Sequence, residues 1–229
     1  MPLLEISKLV KTFIRPDGSE HTVVNLNSFR LDDKMQMALK GESGSGKTTL
    51  LHLIAGILKP DAGNIVIAGQ KMSFLSEPQR DRLRATTIGY IFQTFNLMQG
   101  YTCVENVLLG MSFGPKVDHA FAKALLLLKR VGLENHSAHL PRQLSTGQQQ
   151  RLAVARALAN DPKLVLADEP TGNLDQKNAQ RSLAIIRETC RENGAALLLV
   201  THDREVISQF ENVQEFADIN QTSQEETPP

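Results

Sequence analysis

The sequence predicts an α/β fold: a parallel sheet wrapped by helices, with an antiparallel β portion at the front and a helical insert in the middle. Three observations carry this. A glycine-rich loop stands between a strand and a helix at Gly41–Thr48. Two late strands, "KLVLAD" and "AALLLV", are almost wholly apolar, as strands buried on both faces of a parallel sheet must be. Between about 94 and 160 the strand pattern vanishes and only helical periodicity remains.

The elements follow in order. "LLEISKLVKTF" alternates as a strand does, "RPDGSE" turns, and "TVVNLNSFRL" returns as a second strand. "MQMALK" alternates into Gly41, and a helix is expected from Lys47 to about Leu58, before Pro60. "DAGN" turns into the strand "IVIAG". Ser76 with Gln79 forms a capping-box pattern ahead of "RDRLRA", and "IGYIFQ" is a short strand. Helices are expected in "CVENVLLG", "DHAFAKALLLLKRVGL" and "TGQQQRLAVARALAN", then near Lys177–Glu192 and after Asp203. The main unit should span 1–217, with the helical subdomain inserted at about 94–160. The polar stretch 218–229 reads as a disordered tail.

Totals bound the function. Lys+Arg and Asp+Glu are both 25, so no global field draws in nucleic acid or an anionic membrane. Cys103 and Cys190 make no disulfide framework and suit a reducing compartment. The N-terminus lacks the apolar core of a signal peptide, and no apolar run approaches the roughly 20 residues of a membrane span. The expectation is a soluble chain that meets a membrane only through a partner.

"GESGSGKT" fits G-x-x-x-x-G-K-[ST]. Its glycines let backbone N–H groups converge on phosphate oxygens, and the following helix adds its positive end. Lys47 can reach the β- and γ-phosphates, and the Thr48 hydroxyl can ligate Mg²⁺. This marks a P-loop nucleotide-binding core. "LVLADEP" ends a buried strand in acids: Asp168 is placed to support Mg²⁺ opposite Thr48. Glu169 must turn to face the γ-phosphate, a turn that Pro170 suits, and there it could polarise water. A carboxylate next to the metal aspartate favours hydrolysis over transfer to another acceptor. Gln93 ends its strand with an amide able to touch Mg²⁺ and water. His202 follows "ALLLV", where an imidazole could contact the γ-phosphate. Phe13 could stack on a base or pack in the sheet.

Taken together, these motifs resemble the ATP-binding subunit of ABC transporters over about Leu3 to Phe210, which implies a P-loop NTPase core of the RecA-like kind. The likeness rests on the Walker A loop, the Q-loop at Gln93, the signature "LSTGQQQR", Walker B "LVLADE", the D-loop "NLD" ending at Asp175, and the H-loop at His202. The resemblance implies that Gly41, Glu42, Ser43, Gly44, Ser45, Gly46, Lys47, Thr48 and Thr49 wrap the triphosphate of ATP. Thr48 and Gln93 would ligate Mg²⁺, with Asp168 supporting that site. Glu169 would be the general base, with Lys47 and His202 on the phosphates and Phe13 stacked on adenine. Ser145, Gly147 and Gln148 would meet the nucleotide held by a second copy in a homodimer, with Asp175 at the interface.

Two positions depart from the family pattern. Phe13 replaces the usual Tyr, keeping the stacking face. Thr146 replaces a glycine, and if the backbone there needs φ > 0 it should cost on the order of 1 kcal/mol and weaken closure.

"FQTFNLMQGYTCVENV" and "LADEPTGNLD" further resemble the subgroup of LolD-, MacB- and FtsE-like ATPases, the lipoprotein-releasing kind above all. That likeness implies integral membrane permease partners, lipoprotein release or MacB-type export, and a peripheral place on the cytoplasmic face of the cell inner membrane. The segment around Phe95, Leu97, Met98 and Tyr101 should receive a short helix of the permease. The alternative is a soluble, non-transport ABC ATPase acting in assembly or cell division.

Overall fold

The computed structural model describes residues 2–222. The chain opens with two long antiparallel strands, β1 (Pro2–Ile14) and β2 (Glu20–Asp32), then β3 (Gln36–Lys40) and helix α1 (Lys47–Ile54). There follow β4 (Ala62–Ile67), β5 (Gln70–Lys71), α2 (Glu77–Thr87) and β6 (Ile88–Ile91). Three helices come next: α3 (Cys103–Ser112), α4 (Ala120–Arg130) and α5 (Thr146–Ala157). The chain returns through β7 (Leu164–Asp168), α6 (Gln176–Glu192), β8 (Ala196–Thr201), α7 (Arg204–Ile207), β9 (Asn212–Glu215) and α8 (Phe216–Ile219).

Two sheets result. The first is antiparallel in the order β2-β1-β4-β5, and the second is parallel in the order β6-β7-β8-β3-β9. The parallel sheet divides two apolar cores, and the two-residue period of a strand explains how. Val165 and Ala167 of β7, with Leu197 and Leu199 of β8, join the core built from α3, α4, α5 and α6. Leu164 and Leu166, with Leu198 and Val200, face the other core, shared with α1 and the antiparallel sheet. Burial on both faces is why these strands read as unbroken apolar runs.

Most expected elements are present. The Ser76 box forms, with the Ser76 N–H donating to Gln79 Oε1 at 2.8 Å. Some readings change. α1 ends at Ile54 rather than near Leu58, because Gly56 turns left-handed (φ 67°) and closes the helix early. β9 and α8 were not expected: β9 is a short, mostly polar edge strand paired to β3. Packing also runs past residue 217. Asn220 Oδ1 accepts from the Asn25 N–H at 2.7 Å, and the Gln221 N–H donates to the Asn25 carbonyl at 2.8 Å. The rest of the expected tail, 223–229, lies outside the described residues.

Candidate nucleotide site

The loop between β3 and α1 curls through two left-handed glycines, Gly44 (φ 78°) and Gly46 (φ 104°). A Cβ on Gly46 would stand 2.8 Å from the Val23 carbonyl oxygen and 3.5 Å from the Phe216 ring. Only glycine fits there. Phe216 of α8, fully buried, also lies under Gly41, so the late helix forms the floor of the loop.

Lys47 is 5 % exposed. Its ammonium donates to the carbonyls of Gly41 (2.8 Å) and Glu42 (2.6 Å). Burial pulls its pKa down, while Glu169 and Asp168 act to raise it. Thr48 Oγ1 donates to Asp168 Oδ1 at 3.0 Å. Asp168 is buried and its carboxyl is pushed above its ordinary pKa by that burial, against the Thr48 hydrogen bond and the nearby His52. Ser45 Oγ is buried without a hydrogen-bond partner. A curled loop with a buried cation, a free hydroxyl and a hydroxyl–carboxylate pair fits a triphosphate and a hard oxygen-seeking cation such as Mg²⁺.

Glu169 makes the turn that the sequence required of it. Its φ is 42°, a left-handed value that few non-glycine residues adopt. Both carboxylate oxygens are engaged: Thr201 Oγ1 donates to Oε2 at 2.9 Å, and His202 Nδ1 lies 2.8 Å from Oε1. A carboxylate only accepts, so the ring presents Nδ1–H and leaves Nε2 free for another partner. Thus β3, β7 and β8, neighbours in the sheet, deliver Lys47, Thr48, Asp168, Glu169, Thr201 and His202 to one place.

Other expected residues lie around this cluster. Gln93 is exposed, two residues past β6, and its carbonyl accepts from Asn173 Nδ2 at 2.9 Å. Glu42 and Ser43 are exposed on the loop, and Thr49 is half-buried on α1. Phe13 is 38 % exposed, with Lys11 Nζ 5.4 Å from its ring centre. It pairs with His21, two residues before Val23, so it sits at the end of the antiparallel sheet that flanks the loop.

The signature turn stands apart. Among the described residues, no hydrogen bond joins it to the phosphate loop of its own chain. Ser145 caps α5: its N–H donates to Gln148 Oε1 at 2.8 Å, and its Oγ accepts from the Gln148 N–H at 3.3 Å. Gln148 Nε2 lies 3.0 Å from His136 Nε2. Thr146 is exposed and begins α5 without positive φ, so the backbone cost expected of it does not arise. The constrained position is Gly147, packed against Asn178. Asp175 caps α6, accepting from the Asn178 N–H.

Sequence reading missed Thr201, His52, Phe216 and Asn178. His52 stands one helical turn after Thr48 on α1, a spacing that marks it, whereas Thr201 is tied to Glu169 across 32 residues and gives no local signal. Phe216 gives no local signal.

The family model described as "ABC transporter" matches residues 24–172. Among solved structures, a dimeric post-hydrolysis state of the ATP-binding cassette MJ0796, bound to ADP and Pi, is 33% identical with a TM-score of 0.84 and covers 93% of both chains. A second dimeric structure of MJ0796, described as a bacterial ABC transporter cassette, shows the same 33% identity, TM-score of 0.84 and 93% coverage of both chains.

Proposed function

The chain belongs to the ABC transporter family, and on that premise we propose that it is the ATPase subunit of a transporter in which two copies drive integral membrane permease subunits. It is an ABC ATPase, with ATP as substrate and Mg²⁺ as the accompanying ion. The observation that carries the reading is the cluster at the ends of β3, β7 and β8. Lys47 and the loop N–H groups would hold the phosphates, and Phe13 would stack on the base. Thr48 and Gln93 would hold Mg²⁺, supported by Asp168; the ion, when bound, neutralises charge on the phosphoryl oxygens. Glu169 would take a proton from the attacking water, with Thr201 and His202 fixing its orientation. Ser145, Gly147 and Gln148 would close on the nucleotide of the other copy. The exposed Ser145 at the start of a 12-residue helix suits an anion, and the similar MJ0796 structures are dimeric.

The permease contact would sit in a cleft of about 540 Å³ lined by Tyr90, Phe92, Met98, Leu109, Phe113 and Arg156 among others. Leu97, expected on that surface, is instead buried, while Met98 is 46 % exposed and Tyr101 47 %. Within the family we favour lipoprotein release or MacB-type export, on the likeness of "FQTFNLMQGYTCVENV" and "LADEPTGNLD". Among the described residues no helix is long and apolar enough to cross a membrane. Attachment to the cytoplasmic face of the inner membrane would therefore run through the permease.

Glu169→Gln tests the catalytic part. It should bind ATP, accumulate as a dimer in sedimentation, and lose about 10²-fold or more in turnover. A variant that hydrolyses at the normal rate removes Glu169 from the mechanism. For the membrane part, Met98→Glu should abolish copurification with permease subunits from detergent extracts while basal ATPase persists. Unchanged recovery of the permease would place the contact elsewhere.

A further inference from the structure

The signature turn and the D-loop are far apart in sequence, yet one side chain touches both. Asn178 lies in the first turn of α6. Its N–H donates to Asp175 Oδ1 at 3.0 Å, and its side-chain Nδ2 donates to Asp175 Oδ2 at 2.6 Å. Both bonds hold the Asp175 carboxyl below its ordinary pKa, the side-chain bond first. A carboxylate only accepts, so the amide must turn its nitrogen to Asp175, and its oxygen then points away. That oxygen is aimed at α5. A Cβ on Gly147 would stand 3.0 Å from Asn178 Oδ1, 3.1 Å from Cγ and 3.4 Å from Cβ. The missing side chain of Gly147 is thus the notch into which Asn178 fits.

We infer that Asn178 is a positioning residue that fixes the D-loop carboxylate Asp175 and the signature glycine Gly147 in one relative geometry. The inference rests on the proposed two-copy reading, in which both turns face the partner copy. If each turn moved freely, closure would have to order them separately, at an entropic cost for each. Tied through Asn178, they arrive together. A simple helix cap does not explain the arrangement. Capping requires only the backbone N–H of residue 178, which every substitution except proline retains. The second bond and the filled notch belong to the side chain alone.

Two variants separate these contributions. Asn178→Asp keeps the size and the backbone cap but replaces the donor with a second carboxylate facing Asp175. Asn178→Ala keeps the cap, removes the donor and empties the notch. Both are made in the Glu169→Gln background, and the ATP concentration for half-maximal dimerisation is read by sedimentation. Each should raise that concentration about tenfold, the scale of a lost hydrogen bond to a charged group. The affinity of the dilute monomer for a fluorescent ATP analogue should stay at the parental value, and the melting temperature should fall by only a few degrees, since the lost bond lies within one chain. If Asn178→Asp dimerises like its parent, the link to Asp175 is immaterial and the inference fails. It also fails if monomer affinity for the nucleotide falls in step with dimerisation, since Asn178 would then only support the fold. If Asn178→Ala does not fold, Asn178→Asp alone decides. A Glu169→Gln parent that stays monomeric with ATP would bring down the two-copy reading itself, an outcome distinct from both.

Discussion

At Asp168, burial and chemistry pull in opposite directions. Burial raises the pKa of its carboxyl in the folded chain. Between the unfolded and the folded pKa, the native state therefore holds a proton that the unfolded state has lost. Stability falls as pH rises through that window, and above it the full cost of the buried charge is present. Asp168→Asn should remove this cost. The nucleotide-free variant should melt above the natural chain at neutral pH, by roughly 2–4 °C for each kcal/mol relieved. The gain should shrink as pH falls below the carboxyl's own pKa, and stabilisation by Mg-ATP should be weak. A variant melting lower at neutral pH would contradict the electrostatic argument. Asp168 and Glu169 were legible in the sequence because an apolar strand ending in acids is a local pattern. Thr201 was not, because its partner Glu169 lies 32 residues away and only the adjacency of β7 and β8 joins them.

The late helix α8 gives the element scale its test. Four residues long, it would be marginal alone, yet Phe216 is 1 % exposed and lies against Gly41 and Gly46. Phe216→Ala should cost about 3–5 kcal/mol through the cavity it leaves. The melting temperature should drop by roughly 10 °C. Nucleotide affinity should fall too, because the loop loses its floor. Unchanged affinity in a folded variant, checked by titration calorimetry, would show that the loop supports itself. The sequence hid α8 because its role is set by β2, β9 and the loop rather than by its own periodicity. Propensity likewise missed the early end of α1, where Gly56 overrides an apolar pattern that runs on to Leu58. By contrast the box read from Ser76 and Gln79 appears intact ahead of α2, because caps are local.

For the molecule as a whole, α5 is anchored at both ends. Gly147 meets Asn178 at its start. Near its end, Arg156 donates to the carbonyls of Phe95 and Asn96, two residues with left-handed backbones just after Gln93. The Ala157 carbonyl sits where a Cβ on Gly89 of β6 would collide, at 2.4 Å. The α/β class and the place of the insert were legible because apolar strands and helical periodicity announce them. These anchors were not, since each pairs distant residues.

The two cores on either face of the parallel sheet have a consequence for how the chain breathes. Each core covers only one face, so the helical layer can open while the opposite face stays dry. Amide hydrogen exchange should therefore fall into two tiers. Amides of α3, α4 and α5 should exchange through partial openings of low free energy, while those of β3, β7 and β8 should wait for global unfolding. Equal protection in both groups would mean that the sheet passes every opening from one side to the other.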